Sequence, residues 1–378
     1  MNGTDAWLEQ PALRIDGPDD IEAATAFCME RGWGDGLPIV PPTPERVTRM
    51  LAYCDVPWDQ PLCSMPPRYG VVTPLILAAN AVMAGCKPEY FPLVRLATEA
   101  MCDEPFNLYG LQTTTHPGGP LAIFNGPVAR EAGLNGGHGA FGPGNHANAT
   151  IGRALRLAMF NIGGAHPGTT DMATAGTPAK YGCVVAENEA ASPWEPLHLS
   201  RGCPAGSSAV TMVATEGPHN VNDHFSRDGE GVLISMAGAM GSTGPNSQWY
   251  DGESVAAFGP EHAGNLGAQG YTREQVQRYL QQNGYTTLGR FSPDNQEGRF
   301  RAHLPEKYRY ADNSTRIHAV RAPDQLIVIT LGGAGKHSAW IPSFGPTRAV
   351  THVLKLADGT PAASLEDFRK NAAGGAKK

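Results

Sequence analysis

Apolar runs that end in a glycine turn recur three times in the second half of the chain. The runs cover residues 209–215, 254–258 and 326–331. The histidines that follow them are His219, His262 and His337. A short apolar run bounded by turn residues is typical of a buried strand, and a strand that leads into a helix is one βα unit. Ligands of α/β sheets bind beyond the carboxyl ends of the strands, so we expect these histidines to share one edge of one sheet.

Each histidine also has a plainer interpretation, because Gly-Pro pairs mark turns in general and a histidine in such a turn is often only a solvated polar residue. Among the three we expect His219 to lie nearest to a pocket. His262 is expected to be a residue at the start of a helix without a chemical role.

Helical patterns dominate the first hundred residues. The predicted helices cover residues 19–31, 43–54, 73–85 and 88–102. Thr43-Pro44 and Thr73-Pro74 open two of them, since a threonine hydroxyl can cap free amides and proline needs no hydrogen bond at the first helical position. We therefore predict a helical N-terminal layer over residues 1–109.

The remainder mixes strand and helix patterns. Further strands are predicted over residues 111–115, 121–125 and 181–186, and further helices over 147–161, 232–240 and 272–282. The pattern predicts an α/β fold in which the N-terminal helical layer packs on a mixed sheet with C-terminal βα units. We expect residues 110–378 to form the domain that carries the site, or both parts to form one intimate domain.

A glycine-rich loop over residues 133–146 precedes the predicted helix 147–161. Its candidate ligand-binding residues are Gly137, His138, Gly139, Gly142, Asn145 and His146. Backbone amides at a helix N-terminus can bind an anion, but the loop lacks the GxxxxGK[ST] pattern of a Walker motif. It therefore predicts a site for an anionic substrate group such as a carboxylate rather than for a nucleotide.

The densest set of reactive side chains lies in residues 216–224. His219, Asp223 and His224 are the candidate metal ligands, and this donor set suits Zn, Fe, Mn or Ni. The same three residues are candidate acid–base groups, because histidine titrates near neutral pH and a carboxylate can orient it. A third interpretation is structural, with Asn and Asp residues capping the next helix.

Four further residues are candidate catalytic groups. Glu187 and Glu189 follow a predicted strand, and Lys336 and His337 follow another. Carboxylates at a strand end suit acid–base chemistry or metal ligation, and a surface acidic turn is nearly as good an explanation of them. Between the first two helices, Asp35 either lies on a rigid lip beside a pocket or caps an Asp-Gly turn.

Composition narrows the classes of partner. The 378 residues include 36 acidic and 29 basic ones, and the net charge of −7 argues against binding to nucleic acid. The start of the chain lacks the pattern of a signal peptide, and no apolar stretch is long enough to span a membrane, so we expect a cytoplasmic protein. Seven scattered cysteines without CxxC spacing predict reduced thiols.

Three motifs resemble an uncharacterised bacterial protein family. They are the GDGLPIVPPT segment of residues 34–43, the segment 142–153, and AENE at 186–189 with WEPLH at 194–198. Members of that family are encoded in catabolic gene neighbourhoods, sometimes beside small CGSC-type proteins or their selenocysteine counterparts. The resemblance implies a partner subunit for redox chemistry and carries no activity or catalytic residues to this chain.

These observations together predict a metal-dependent lyase or hydrolase that acts on a small, anionic organic substrate and forms a homo-oligomer or a complex with a partner subunit. The alternatives are a non-catalytic or co-catalytic subunit of a two-component redox or hydrolytic complex, and a metal-free binder of small molecules.

Overall fold

Helices begin where the sequence supplies capping residues. A computed structural model describes residues 15–372, so the first five residues, on which the signal-peptide interpretation rests, lie outside the described range. The Asp20 side chain accepts a hydrogen bond from Ala23 N, and Thr73 caps its helix in the same way. Thr43 precedes a helix without making a side-chain cap, so proline at the first position suffices to start that helix.

The α-helices of the described residues are α1 (Ile21–Glu30), α2 (Pro44–Leu51), α3 (Pro74–Met83), α4 (Phe91–Cys102), α5 (Leu108–Thr113), α6 (Pro127–Glu131), α7 (His146–Asn161), α8 (Leu197–Ser200), α9 (Gly229–Met240), α10 (Pro260–Ala268), α11 (Arg273–Asn283), α12 (Pro293–Asn295), α13 (Pro305–Tyr308) and α14 (Leu365–Lys370). The strands are β1 (Cys63–Met65), β2 (Gly70–Val72), β3 (Gly119–Asn125), β4 (Cys183–Ala186), β5 (Ala209–Thr215), β6 (His219–Asn222), β7 (Ser254–Phe258), β8 (Tyr285–Thr287), β9 (Arg316–His318), β10 (Leu326–Thr330), β11 (His337–Ile341) and β12 (Val350–Val353).

The elements group into two compact units. Within the described residues, the first unit comprises 15–187, 197–213 and 349–372, and the second comprises 188–196 and 214–348. The division therefore does not fall between residues 109 and 110, because the N-terminal helices belong to the same unit as β3 and β4. Helices combined with parallel and antiparallel strand pairs confirm the α/β class.

The first unit contains a four-stranded sheet in the order β12-β5-β3-β4. β3 and β4 are parallel, with Leu121 opposite Cys183, whereas β12 and β5 are antiparallel, with Val350 opposite Met212. All seven residues of β3 and of β5 are buried, as expected for strands covered on both faces. Gly152 of α7 permits close packing, since a Cβ there would lie 2.9 Å from Gly182 Cα.

A buried ion pair joins distant segments of the first unit. Arg95 of α4 donates from Nη1 to Asp55 Oδ1 at 2.6 Å, and both side chains are at most 9% exposed. The other Asp55 oxygen accepts from the backbone N of Ala357 at 2.6 Å. One carboxylate therefore holds both α4 and the C-terminal segment.

The second unit contains a four-stranded sheet in the order β10-β7-β11-β6. β10 and β7 are parallel, and β11 runs antiparallel to both β7 and β6. The hydrophobic core of this unit includes Val232, Leu233, Phe258, Leu266, Leu280, Val328 and Trp340. It draws on α9, α10 and α11. The last of these helices begins with a capping box formed by Thr272 and Gln275.

One element type is wrong in the prediction. Residues 111–115 were expected to form a strand, but Leu111 lies in the helix α5. Asn107 has the left-handed φ of 56° and its side chain accepts from Gly110 N, which starts a helix that the apolar pattern alone did not indicate. No helix of residues 15–372 has the length and hydrophobicity needed to cross a membrane.

Candidate functional site

The first unit contains a cavity of about 370 Å³. Its polar lining comes from the turn after α1, from α7 and from the segment that leads to β4. The polar lining residues are Asp35, Arg156, Asp171, Thr177, Lys180 and Tyr181. A volume of this size is typical of sites for small organic ligands, which range from about 300 to 1,000 Å³.

The helix α7 supplies the cationic side of this region. Asn145 caps it by accepting from Asn148 N at 2.9 Å, and Asn145 also donates to Gly133 O. Arg153, Arg156 and Phe160 follow at spacings of three and four residues, which places them on one face of the helix.

Asp35 is paired with Arg153 in a bidentate arrangement. Arg153 donates from Nε to Oδ2 and from Nη2 to Oδ1, each at 2.8 Å, and the carboxylate is 2% exposed. Asp35 Oδ1 also accepts from Leu37 N at 3.3 Å. Both interpretations of Asp35 thus describe part of the observed structure, because the residue lines the cavity and also stabilises its own turn.

Lys180 is paired with Asp171 inside the cavity wall. Its Nζ lies 2.7 and 2.6 Å from the two carboxylate oxygens, and both side chains are largely buried. Burial lowers the pKa of Lys180, although hydrogen bonding to Asp171 opposes that shift. A lysine with a lowered pKa loses its proton more readily than one in water, which suits it to proton transfer.

Arg156 is a cavity cation that forms no ion pair with a carboxylate of the described residues. It is 4% exposed, its Nε donates to Lys180 O, and its Nη1 lies 3.4 Å from Gln112 Oε1. Among the described residues, no carboxylate oxygen lies within 4 Å of its guanidinium. Burial lowers its pKa to about 10, and the negative charges of Asp171 and Asp35 partly oppose that shift, so the group is still charged at neutral pH.

The two carboxylates that line the cavity are thus already paired, while one buried guanidinium is not. A buried cation is costly unless an anion approaches it, and arginine matches carboxylate geometry with two parallel hydrogen bonds. The arrangement can therefore bind an organic anion beside a lysine suited to proton transfer.

Sequence reasoning missed Arg156, Asp171 and Lys180. One signal for Arg156 was present, because it is a single charged residue within the apolar run from Ala154 to Met159. No comparable pattern marked Asp171 or Lys180, since the segment before β4 has no regular periodicity.

The histidines of the second unit do not converge as predicted. The strand before Glu216 is β5, which pairs with β12 in the other sheet, whereas the strands before Gly259 and Gly332 are the parallel neighbours β7 and β10. Only β7 continues directly into a helix. The prediction that three βα units share one sheet is wrong, because Gly332–Lys336 leads into β11 and residues 216–218 lead into β6.

His262 lies in the first turn of α10, as expected, but it is fully buried. Its Nε2 lies 3.0 Å from the carbonyl oxygen of Asp223, and its Nδ1 lies 2.7 Å from Ser338 Oγ. A carbonyl can only accept, so Nε2 carries the proton and neutral Nδ1 accepts from the Ser338 hydroxyl. Ser338 Oγ also accepts from Gly259 N at 3.1 Å. This network ties α10 to β11 and to the loop after β6.

His224 and His337 form a contact that was not predicted, although each was a candidate. Their Nε2 atoms are 3.2 Å apart and their rings meet at 79°. His337 Nδ1 lies 2.9 Å from Asn220 Oδ1, and Lys336 Nζ donates to the backbone oxygen of His224 at 3.1 Å. Both rings are exposed to solvent.

Asp223 serves as a hydrogen-bond acceptor for its own loop. It accepts from the backbone N of Phe225 and from both the backbone N and the hydroxyl of Ser226, and Ser235 of α9 donates to it at 2.6 Å. Burial alone would raise its pKa, but these hydrogen bonds hold the pKa at about 2. Four donors occupy the four lone-pair positions of the carboxylate, so Asp223 is not available as a metal ligand in this arrangement.

We expect Asp223→Ala to lower the free energy of unfolding by about 3 kcal/mol, because two amides and two hydroxyls lose a buried charged acceptor. Urea denaturation measures the change. Asp228→Ala is the control, because it removes an exposed carboxylate that caps α9 and accepts a single backbone hydrogen bond. The native pKa lies below the unfolded value of about 3.9, so this contribution is present above pH 4 and disappears as the pH falls towards 2. An Asp223→Ala protein as stable as the wild type at pH 7 contradicts the assignment.

His219 is separated from the other histidines by strand geometry. It is the first residue of β6 and is opposite Trp340, whereas His337 is opposite Asn222. Side chains alternate along a strand, so His219 and His337 project from opposite faces of the sheet. Among residues 15–372, no three His, Cys, Asp or Glu side chains are grouped so that they could hold a metal ion, and the predicted set of His219, Asp223 and His224 is not such a group.

Glu187 and Glu189, the two carboxylates predicted at the end of a strand, fall in different units. Glu187 directly follows β4, is 5% exposed, and accepts from Asn125 Nδ2 at 2.6 Å and from Leu197 N at 2.7 Å through one oxygen. Glu189 begins a short 3₁₀ helix that ends at Ala191. Glu187 thus helps to hold the start of α8 against β3.

The glycine-rich loop uses much of its own hydrogen-bonding capacity. Asn135 Oδ1 accepts from Gly137 N, Gly139 O accepts from Gly142 N, and Asn135 Nδ2 donates to the carbonyl of His138. The ring of His146 lies 5.9 Å from that of Tyr90. No residue of 133–146 lines the 370 Å³ cavity. Its observed contacts are therefore those of a self-braced turn that leads into α7.

Comparisons with known proteins add no relationship to this geometry. No protein-family model matches the chain, and neither a search of curated proteins nor a search of solved structures finds a match. The resemblance based on the GDGLPIVPPT segment therefore stays a prediction.

Proposed function

We propose that this chain is an enzyme that binds a small organic anion in the cavity of the first unit and acts on it by proton transfer. The observation that carries the proposal is the buried guanidinium of Arg156, which has no carboxylate within 4 Å among the described residues while the cavity's own carboxylates are paired. The anion is best a carboxylate, since a guanidinium binds its two oxygens through parallel hydrogen bonds.

Lys180 is the proposed proton carrier. As a neutral amine it takes a proton from the carbon next to the bound carboxylate, and as an ammonium it returns a proton to the leaving group or to carbon. Asp171 contacts Nζ through both oxygens and so keeps the lysine in one orientation. This chemistry belongs to a lyase, or to a hydrolase that protonates its leaving group. Metal dependence is a separate proposal that rests on residues of the second unit.

Exchange of carbon-bound hydrogen tests the proposal without knowledge of the natural substrate. The full chain is incubated in D₂O with succinate, malonate, lactate and alanine, and NMR follows loss of the proton beside the carboxylate. We expect at least one probe to exchange, Lys180→Met to abolish exchange while retaining binding, and Lys87→Met, an exposed lysine of the same unit, to have no effect.

Two outcomes contradict the proposal in different ways. If carboxylates bind in an Arg156-dependent manner but none exchanges, the chain is a metal-free binder or a non-catalytic subunit. If none of the probes shifts the melting temperature, the cavity is not a site for small carboxylates.

A further inference from the structure

We propose that His224 and His337 of the second unit form a binding site for a divalent transition metal, with Zn²⁺ as the ion that fits best. The site is independent of the cavity in the first unit and of the function proposed for it. It replaces the predicted ligand set, because Asp223 is fully used by its loop and His219 lies on the other face of the sheet.

The spacing of the two imidazoles fits a shared ion. Their Nε2 atoms lie 3.2 Å apart, and the ring planes meet at 79°. Tetrahedral Zn²⁺ with Zn–N bonds of about 2.0–2.1 Å holds its nitrogen ligands about 3.3 Å apart. The separation of the two nitrogens is therefore close to that of a shared ion, and the exposed rings must turn so that both lone pairs point to it.

Asn220 orients one of the two ligands. Its Oδ1 lies 2.9 Å from His337 Nδ1, and an amide oxygen can only accept, so the proton of His337 is on Nδ1 and the lone pair is on Nε2. Hydrogen bonding of the non-ligating nitrogen is the usual way in which proteins fix a metal-binding histidine. A pair of histidines in contact by chance does not need this third group.

The ring of His224 can adopt the tautomer that a metal ligand needs. Without metal, His224 donates its Nε2 proton to His337 Nε2. Metal binding requires that proton to move to Nδ1 of His224, which has no partner among the described residues and lies on an exposed ring. The ring is therefore free to take the ligating tautomer.

The backbone around the pair is held by other contacts. Lys336 Nζ donates to the carbonyl oxygen of His224, and Asp223 braces the turn from the other side through Ser226 and Ser235. The ammonium of Lys336 is the nearby charge that opposes a cation. With two protein ligands, water or a group from another molecule would complete the coordination, so the site is open on one side. Imidazole ligands select Zn²⁺, Ni²⁺ or Cu²⁺ over Mg²⁺ and Ca²⁺.

Calorimetric titration of the full, untagged chain with ZnCl₂ tests the proposal. We expect His224→Gln and His337→Gln each to bind one equivalent less than the wild type, and MgCl₂ to give no binding. Asn220→Ala should weaken that equivalent about 10- to 100-fold, the usual effect of losing the group that orients a ligand. His219→Gln, in the neighbouring strand β6 but on the opposite face of the sheet from His337, is the matched control and should titrate as the wild type does.

A second readout identifies the ligating atoms. Long-range ¹H–¹⁵N spectra of the imidazoles should show Zn²⁺-dependent shifts at Nε2 of His224 and His337. Circular dichroism confirms that each variant is folded, which is expected because both side chains are exposed. The proposal is overturned if the wild type binds no Zn²⁺, if His224→Gln and His337→Gln retain its full stoichiometry, or if His219→Gln loses the same equivalent.

Discussion

Arg156→Met is expected to weaken carboxylate binding at least 30-fold while leaving the protein folded. Removing one partner of a buried, hydrogen-bonded charge pair costs about 2 kcal/mol or more of binding free energy. The free protein has no carboxylate within 4 Å of this guanidinium among its described residues, so the substitution removes a buried charge that folding must otherwise desolvate. Calorimetric titration with the carboxylate that most raises the melting temperature of the wild type measures the loss.

The control for Arg156 is Arg46→Met, since Arg46 belongs to the same unit, donates to Pro41 O and does not line the cavity. Arg156→Lys should recover part of the affinity, because an ammonium keeps the charge but not the bidentate geometry. If Arg156→Met binds the carboxylate as the wild type does, the anion site is elsewhere. If Arg156→Met unfolds, Arg156→Lys takes its place in the titration, because it keeps the charge and changes only the geometry of the contact.

Arg95→Met is expected to lower the free energy of unfolding by about 3–5 kcal/mol, the usual cost of leaving a buried partner charge uncompensated. The partner that loses its counter-charge is Asp55, whose side chain is 1% exposed. Asp55→Asn should cost less, because the amide oxygen can still accept from Ala357 N. Urea denaturation followed by circular dichroism measures both changes.

The double variant Arg95→Met/Asp55→Leu provides the decisive comparison. An apolar pair avoids the uncompensated charge, so we expect it to be more stable than Arg95→Met alone. Arg348→Met, which removes a half-exposed pair with Asp251, is the control and should change stability by less than about 1 kcal/mol. Equal losses in Arg95→Met and Arg348→Met contradict the role assigned to Asp55.

Local chemistry predicted the starts of helices well. Thr73 caps its helix through Ile76 N, only three residues away, so the sequence contains the complete interaction. The helix that contains Leu111 was not predicted, because it begins at Asn107. The left-handed backbone conformation of Asn107 does not show in a pattern of apolar positions.

Predicting the sites required the order of the strands in each sheet, which depends on contacts between residues far apart in sequence. The prediction treated the glycine turn before His337 as the end of a βα unit, whereas the chain there enters β11 and pairs with β6. That pairing brings His337 next to His224, and no spacing of residues in the sequence indicates this contact. The cavity was missed for the same reason, since Asp35 and Lys180 are far apart in sequence and meet only around α7.

The first unit is assembled from three separate stretches of chain, and this has a consequence for the order of events during synthesis. Its edge strand β12 pairs with β5, with Val353 opposite Ala209, and Ala357 binds the carboxylate of Asp55. All of residues 214–348 must be translated before either contact can form. Contacts between such distant segments close large loops and slow folding. The segment 214–348, in contrast, emerges from the ribosome as one continuous stretch, so its sheet can form while the earlier unit still waits for its final strand.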